Sequence, residues 1–112
     1  MKRYIISFDD GTMNIPDEDL EAVGAAAHAV VAAAQSAGVW IFGGGLHTQQ
    51  ASIVDVDGTI RLGEFPETKA VLGGFSLVEV ATHEEALEWA RQMAAACRCP
   101  QEVREIMYDP LV

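Results

Sequence analysis

Glu67, Thr68 and Lys69 place an acid, a hydroxyl and a cation side by side, and His28 supplies an imidazole upstream. Imidazole exchanges protons near neutral pH, so His28 is the candidate general acid or base. Glu67 could orient it, and Lys69 could steady developing negative charge on a polar or anionic ligand. Thr68 and Phe65 are candidate ligand contacts in the same stretch, GEFPETKAVLGGF, from Gly63 to Phe75. That stretch is too polar and too broken for a strand, and irregular loops often carry function. Each group also has a plainer role. His28 could be a partly buried histidine bonded to a carbonyl or carboxylate. Thr68 could cap local backbone, and Glu67 and Lys69 could be solvated turn charges.

Other groups point less to chemistry. Gly43-Gly44-Gly45 resembles a phosphate loop only superficially, because no helix start and no Lys-Ser/Thr pair follow it. Close backbone packing or a bulge is the better expectation there. Cys97 and Cys99 could offer two thiolates to a metal, but zinc needs four ligands and no matching Cys or His group is evident, so no metal site is expected. The two are poorly spaced for a disulfide with each other. His47 and His83 are expected to face solvent, and Trp40, Trp89 and Tyr108 to form core or dimer contacts.

The elements that must position these groups follow from periodicity. Lys2 to Phe8 alternates as a strand, with Tyr4, Ile6 and Phe8 on one face. Pro16 opens a helix with Asp17, Glu18 and Asp19 in its first turn, where the dipole favours acids. Leu20, Val23, Ala27, Val30, Val31 and Ala34 form its buried stripe, and Gly38 stops it. At about 100° per residue from Leu20, His28 falls about 80° round, at the edge of that stripe. Val39 to Phe42 reads as a buried strand. Ser52–Val56 and Thr59–Leu62 read as a hairpin joined by Asp57-Gly58 in a type I′ turn. Phe75 to Val80 is a further strand. Thr82 to Glu85 has capping-box spacing, and a second helix follows with Ala86, Leu87, Ala90, Met93, Ala94 and Cys97 inward, ended by Pro100. Glu102 to Tyr108 is the last strand.

The order β-α-β, hairpin, β-α-β predicts an α+β fold: a ferredoxin-like sandwich, with an antiparallel sheet and two helices on one face. Yet the strands carry apolar residues on both faces, as in Ile5 and Ile6, Trp40 and Ile41, Leu77 and Val78, or Ile106 and Met107. A second copy packed sheet against sheet would cover the other face, and the space between the sheets would be a ligand cavity. The 112 residues suit one domain, residues 1–112, and the 50% hydrophobic content excludes disorder. A net charge of −10 argues against nucleic acid and anionic membrane partners. No signal peptide or membrane-length apolar run is visible, so the expected setting is a reducing cytoplasm with free thiols.

In sequence the chain resembles the YCII-related proteins, in the branch with an Asp-Gly-Pro-Phe motif. The resemblance rests on five pieces in order: His28 with AAAQSAG, VWIFGGGL, LGEFPETKAVLGGFSLVEV, EEALEWA and EVREIM. It implies a dimeric α+β barrel without a cofactor. It also implies a histidine and an acidic residue as active-site groups, with His28 at the family's histidine position. Relatives on that fold include muconolactone isomerases and small monooxygenases, and some family members are encoded beside extracytoplasmic-function sigma factors. Two functions follow. One is a small cofactor-independent enzyme with isomerase-, lyase- or hydrolase-like acid–base chemistry on a small polar or aromatic acid. The other is a non-catalytic dimeric module binding a small ligand or protein partner, linked to sigma-factor regulation. Leu62 and Glu64 stand where the motif has Asp and Pro, so the chain either lacks the motif acid or recruits Glu64 or Glu67.

Overall fold

The computed structural model describes residues 1–47, 51–62 and 72–112. Strand β1 (Lys2–Asp9) leads through a 3-10 turn (Asp17–Asp19) into helix α1 (Leu20–Ser36) and strand β2 (Trp40–Gly45). The hairpin β3 (Ser52–Val54) and β4 (Ile60–Leu62) precedes β5 (Leu72–Val80), helix α2 (His83–Cys97) and β6 (Glu102–Glu105). The main sheet has the order β2-β5-β1-β6, antiparallel throughout, with the hairpin as a separate two-stranded sheet. This is the expected α+β, ferredoxin-like sandwich.

The alternation in β1 puts Tyr4 and Ile6 under the helices, where both are buried with Val78 and Val80 of β5 and Ala86 and Ala90 of α2. A second cluster, Met93, Cys97 and Cys99, closes the space between the helices and the Phe8 end of the sheet. Thr82 caps α2 as its spacing predicts: its hydroxyl accepts the Glu85 N–H at 3.2 Å, and the Glu85 carboxylate accepts the Ala81 N–H at 3.3 Å.

Several local expectations are corrected. The α-helix proper starts at Leu20, with Pro16 and the three acids forming a 3-10 turn ahead of it. Leu20 is 53% exposed, because the buried stripe begins only one turn later at Val23. The glycines after Phe42 continue β2 rather than following it, and β5 begins earlier, at Leu72. Helix α2 ends at Arg98, in the left-handed region at φ 56°, before Pro100 is reached. Strand β6 stops at Glu105, although the Ile106 N–H still reaches the Arg3 carbonyl at 2.9 Å. The hairpin turn is not type I′, since only Gly58 has positive φ (87°). Asp55 accepts from Gly58 N–H at 2.9 Å and donates to the Thr59 carbonyl at 2.8 Å. That is a type I turn closed by a left-handed glycine, the usual three-residue hairpin loop.

Both helices lie on one face of the sheet. On the other, Ile5, Phe75 and Leu77 are half-buried and Phe42 is 61% exposed. The molecule is a plate of 45 × 43 × 18 Å.

Candidate functional site

His28 lies on α1, exposed to solvent, with no hydrogen bond or ion pair among the described residues. The buried residues Val23 and Ala34 mark the inward face of the helix, and His28 stands off it rather than at its edge. The other sequence candidates, Phe65, Glu67, Thr68 and Lys69, lie outside the described residues, as does the Glu64 alternative. Their convergence on His28 therefore stays an expectation. Among His47 and His83, both exposed as expected, only His83 has a notable neighbour: its ring lies 5.8 Å from that of Tyr4.

Strand register builds a different surface. Residues directly opposite each other in an antiparallel ladder share a face. Arg104 opposes Ile5, Ile5 opposes Leu77, and Leu77 opposes Phe42, giving one row across all four strands. The next row is Glu102, Ser7, Phe75 and Gly44. On the far side, Arg3 and Glu79 are paired at 2.8 Å. The helix-free face thus has an apolar floor of Ile5, Leu77, Phe75 and Phe42, with the two aromatic rings 6.0 Å apart and tilted by 53°. Its margin is polar. At strand spacings of ~4.8 Å, Arg104 and Phe42 stand roughly 14 Å apart across the sheet. Arg104 is exposed and makes no ion pair among the described residues, so its guanidinium can receive a planar carboxylate. Sequence reasoning named Ile5 and Leu77 of this floor but missed Phe42, Phe75, Arg104 and Ser7. The signal was present in the alternation of EVRE, which sets Glu102 and Arg104 on one side and Val103 and Glu105 on the other.

A further surface cavity of about 340 Å³ opens at the end of the sheet, between Arg3, Glu79 and the segment from Ile106 to Val112.

The titratable groups under the helices are held out of chemistry. The Tyr4 hydroxyl donates to Glu105 Oε1 at 3.1 Å, and Lys2 Nζ approaches the same oxygen at 3.6 Å. Burial, then the hydrogen bond and charge of Glu105, push the Tyr4 phenol above its ordinary value. The unfolded phenol therefore ionises first as pH rises. The stabilisation is full below pH of about 10 and is lost as pH climbs through the folded-state value. Tyr4→Phe is expected to flatten the alkaline fall of the urea midpoint between pH 9 and 11, and an unchanged fall would disprove the coupling. Cys97 and Cys99 are free and buried, and burial raises both thiols, so neither is poised as a thiolate nucleophile.

The YCII-related domain matches residues 3–108, nearly the whole length. The chain belongs to the YCII-related family. Among its described residues, this YCII-related chain has no helix long and apolar enough to cross a membrane. No curated protein matches the chain. A solved structure similar to it is 5-chloro-2-hydroxyhydroquinone dehydrochlorinase (TftG) from Burkholderia phenoliruptrix AC1100, in complex with 2,5-dihydroxybenzoquinone. The two share 14% identity over 97% of this chain and 96% of that one, with a TM-score of 0.48. Leu62 ends β4 and is 78% exposed on the hairpin.

Proposed function

We propose that this YCII-related protein acts as a twofold homodimer, holding a small aromatic or polar acid between two facing sheets. On that acid it carries out cofactor-independent acid–base chemistry. The observation that carries this reading is the row Arg104–Ile5–Leu77–Phe42: a cation at one end, an aromatic at the other, and aliphatic side chains between. An apolar floor with a single free guanidinium suits a flat ring bearing a carboxylate. The helices cover only the other side of the sheet, no other described element packs on this floor, and a second copy would cover it. Glu67 is the proposed acid–base group at this floor, and His28, exposed on the helix-covered side of the sheet, stands apart from it. Lys69 would steady negative charge, and Phe65 and Thr68 would complete the grip. The two buried free thiols support a reducing, cytoplasmic setting.

A second reading, a non-catalytic binding module linked to sigma-factor regulation, is favoured by one observation. His28 is exposed and unpartnered among the described residues, on a helix packed against the opposite face of the sheet from the floor. One experiment separates the two. Hydroxybenzoates are titrated against the protein, and bound ligand is followed by NMR in deuterated buffer. Binding should weaken ~10- to 100-fold in Arg104→Leu, in line with a charge-assisted contact. Deuterium exchange or turnover that disappears in Glu67→Gln, with binding kept, marks the enzyme. Binding with no exchange in the unaltered protein marks the module, and no binding in either protein removes the floor as a ligand site.

A further inference from the structure

The hairpin β3–β4 makes no packing contact with any other described element; its strands touch only each other. A lone two-stranded hairpin is marginal in water, so its order needs a surface to lie on. The hairpin itself shows which face wants covering. Val54 opposes Ile60 and Ser52 opposes Leu62, which puts Val54, Ile60 and Leu62 on one side, at 66%, 63% and 78% exposure. The other side carries half-buried Ile53 opposite Arg61, and the Arg61–Asp55 pair at 3.0 Å. The turn is locally well made: Asp57 Oδ1 accepts the Thr59 N–H at 2.9 Å, and that bond lowers the carboxyl pKa. The result is a formed, amphipathic arm with an empty apolar face.

The chain is extended for its length, with a radius of gyration of 15.6 Å against about 13 Å for a compact chain of similar length, in keeping with an arm that packs on none of the other described elements. The helix-free sheet face supplies the matching demand. Four strands at ~4.8 Å and roughly six residues at ~3.3 Å give about 400 Å² of flat face. A stable interface takes about 800 Å² from each partner. The face alone falls short by about half, and a twofold pair in which each arm lies across the other copy adds to it from both sides.

We propose that β3–β4 is an intersubunit arm, whose Val54, Ile60 and Leu62 face closes over the helix-free sheet face of a second copy of this chain. This rests on the homodimer proposed above. The arm also forms a wall of the cavity between the sheets.

The test places a photo-reactive p-benzoylphenylalanine at position 60 (Ile60→p-benzoylphenylalanine) in the full chain. The protein is mixed from ¹⁴N and ¹⁵N stocks, unfolded, refolded and irradiated. Light scattering is read alongside. The expected result is a dimer whose cross-linked peptides join the two isotopes, from Ile60 to the β1, β2 or β5 strands. A dimer with cross-links only within one isotope assigns the arm's apolar face to its own chain, and overturns the arm while leaving the dimer standing. A monomer overturns both. A second variant, Val54→Asp with Ile60→Asp, should raise the dimer Kd ~100-fold, as loss of two central apolar anchors does. Its circular dichroism should stay unchanged, since the arm packs on none of the other described elements of its own chain. An unchanged Kd would refute the arm even if cross-linking failed.

Discussion

Gly43→Ala is expected to lower stability by roughly 2–3 kcal/mol, the range for overpacking a close-packed interior. A Cβ built on Gly43 would sit 2.5 Å from the Phe75 carbonyl oxygen, 2.8 Å from Trp40 Cη2 and 3.0 Å from Ser76 Cα. Two of those atoms are backbone of the neighbouring strand β5, so the contact cannot be relieved by turning a side chain. The third belongs to an indole that packs against both buried clusters. Relief needs β2 to lift from β5 or Trp40 to leave the core. Gly44→Ala is the internal control. Its Cβ would meet nothing within 4 Å, and the residue lies on the helix-free face opposite Phe75. That change should stay within ~1 kcal/mol of the unaltered protein and can stabilise it, because glycine weakens a strand interior. Urea midpoints of the two variants should differ by about 1–2 M at the m-values of small domains. Equal midpoints would show that β2 does not approach β5 as closely as described.

Leu77→Glu is expected to turn the proposed dimer into a folded monomer. Leu77 sits mid-floor between Ile5 and Phe42, half-buried, on the face without helices. In a twofold pair the change brings two carboxylates toward each other in a desolvated apolar layer, where like charges cost several kcal/mol. The dimer Kd should rise by ~10³-fold or more. The isolated fold should be less affected, since Leu77 is only half-buried on the face without helices. Val78→Glu, one residue on, should instead unfold the protein. Val78 is 2% exposed, beneath the helices, and an unpaired buried charge removes most of a stability of ~5–15 kcal/mol. Light scattering and circular dichroism on both variants decide the matter. A dimer surviving Leu77→Glu would mean that the second copy sits elsewhere.

The contrast between Leu77 and Val78 shows what could be read along the chain. Element order was legible because it is written in local patterns. Thr82 and Glu85 stand at capping-box spacing, Gly38 stops a helix, and Asp57-Gly58 turns a hairpin, each through contacts within five residues. The turn type was misread because Asp-Gly suits both a type I′ turn and a type I turn closed by glycine. Only the backbone, with Asp57 at negative φ, tells them apart. Leu20 was misread because helical periodicity predicts a stripe but not where along the helix the sheet begins beneath it.

The sequence by itself determined the fold class, the order of elements, and the fact that both faces of the sheet are apolar. It also determined the family. Tertiary structure alone decided which face the helices take, and so which apolar residues remain open: Phe42, Phe75, Leu77 and Ile5. It also decided that Arg104 joins them, and that the β3–β4 arm stands clear of its own chain's other described elements. The physical reason is range. Alternation tells that neighbouring residues face opposite ways, but naming the covered face requires pairings such as Ile5 with Leu77 and Arg104. Those pairings are set by packing between distant segments rather than by any local preference. For the same reason His28, placed at a stripe's edge by its spacing, stands exposed on the side of the sheet away from the floor.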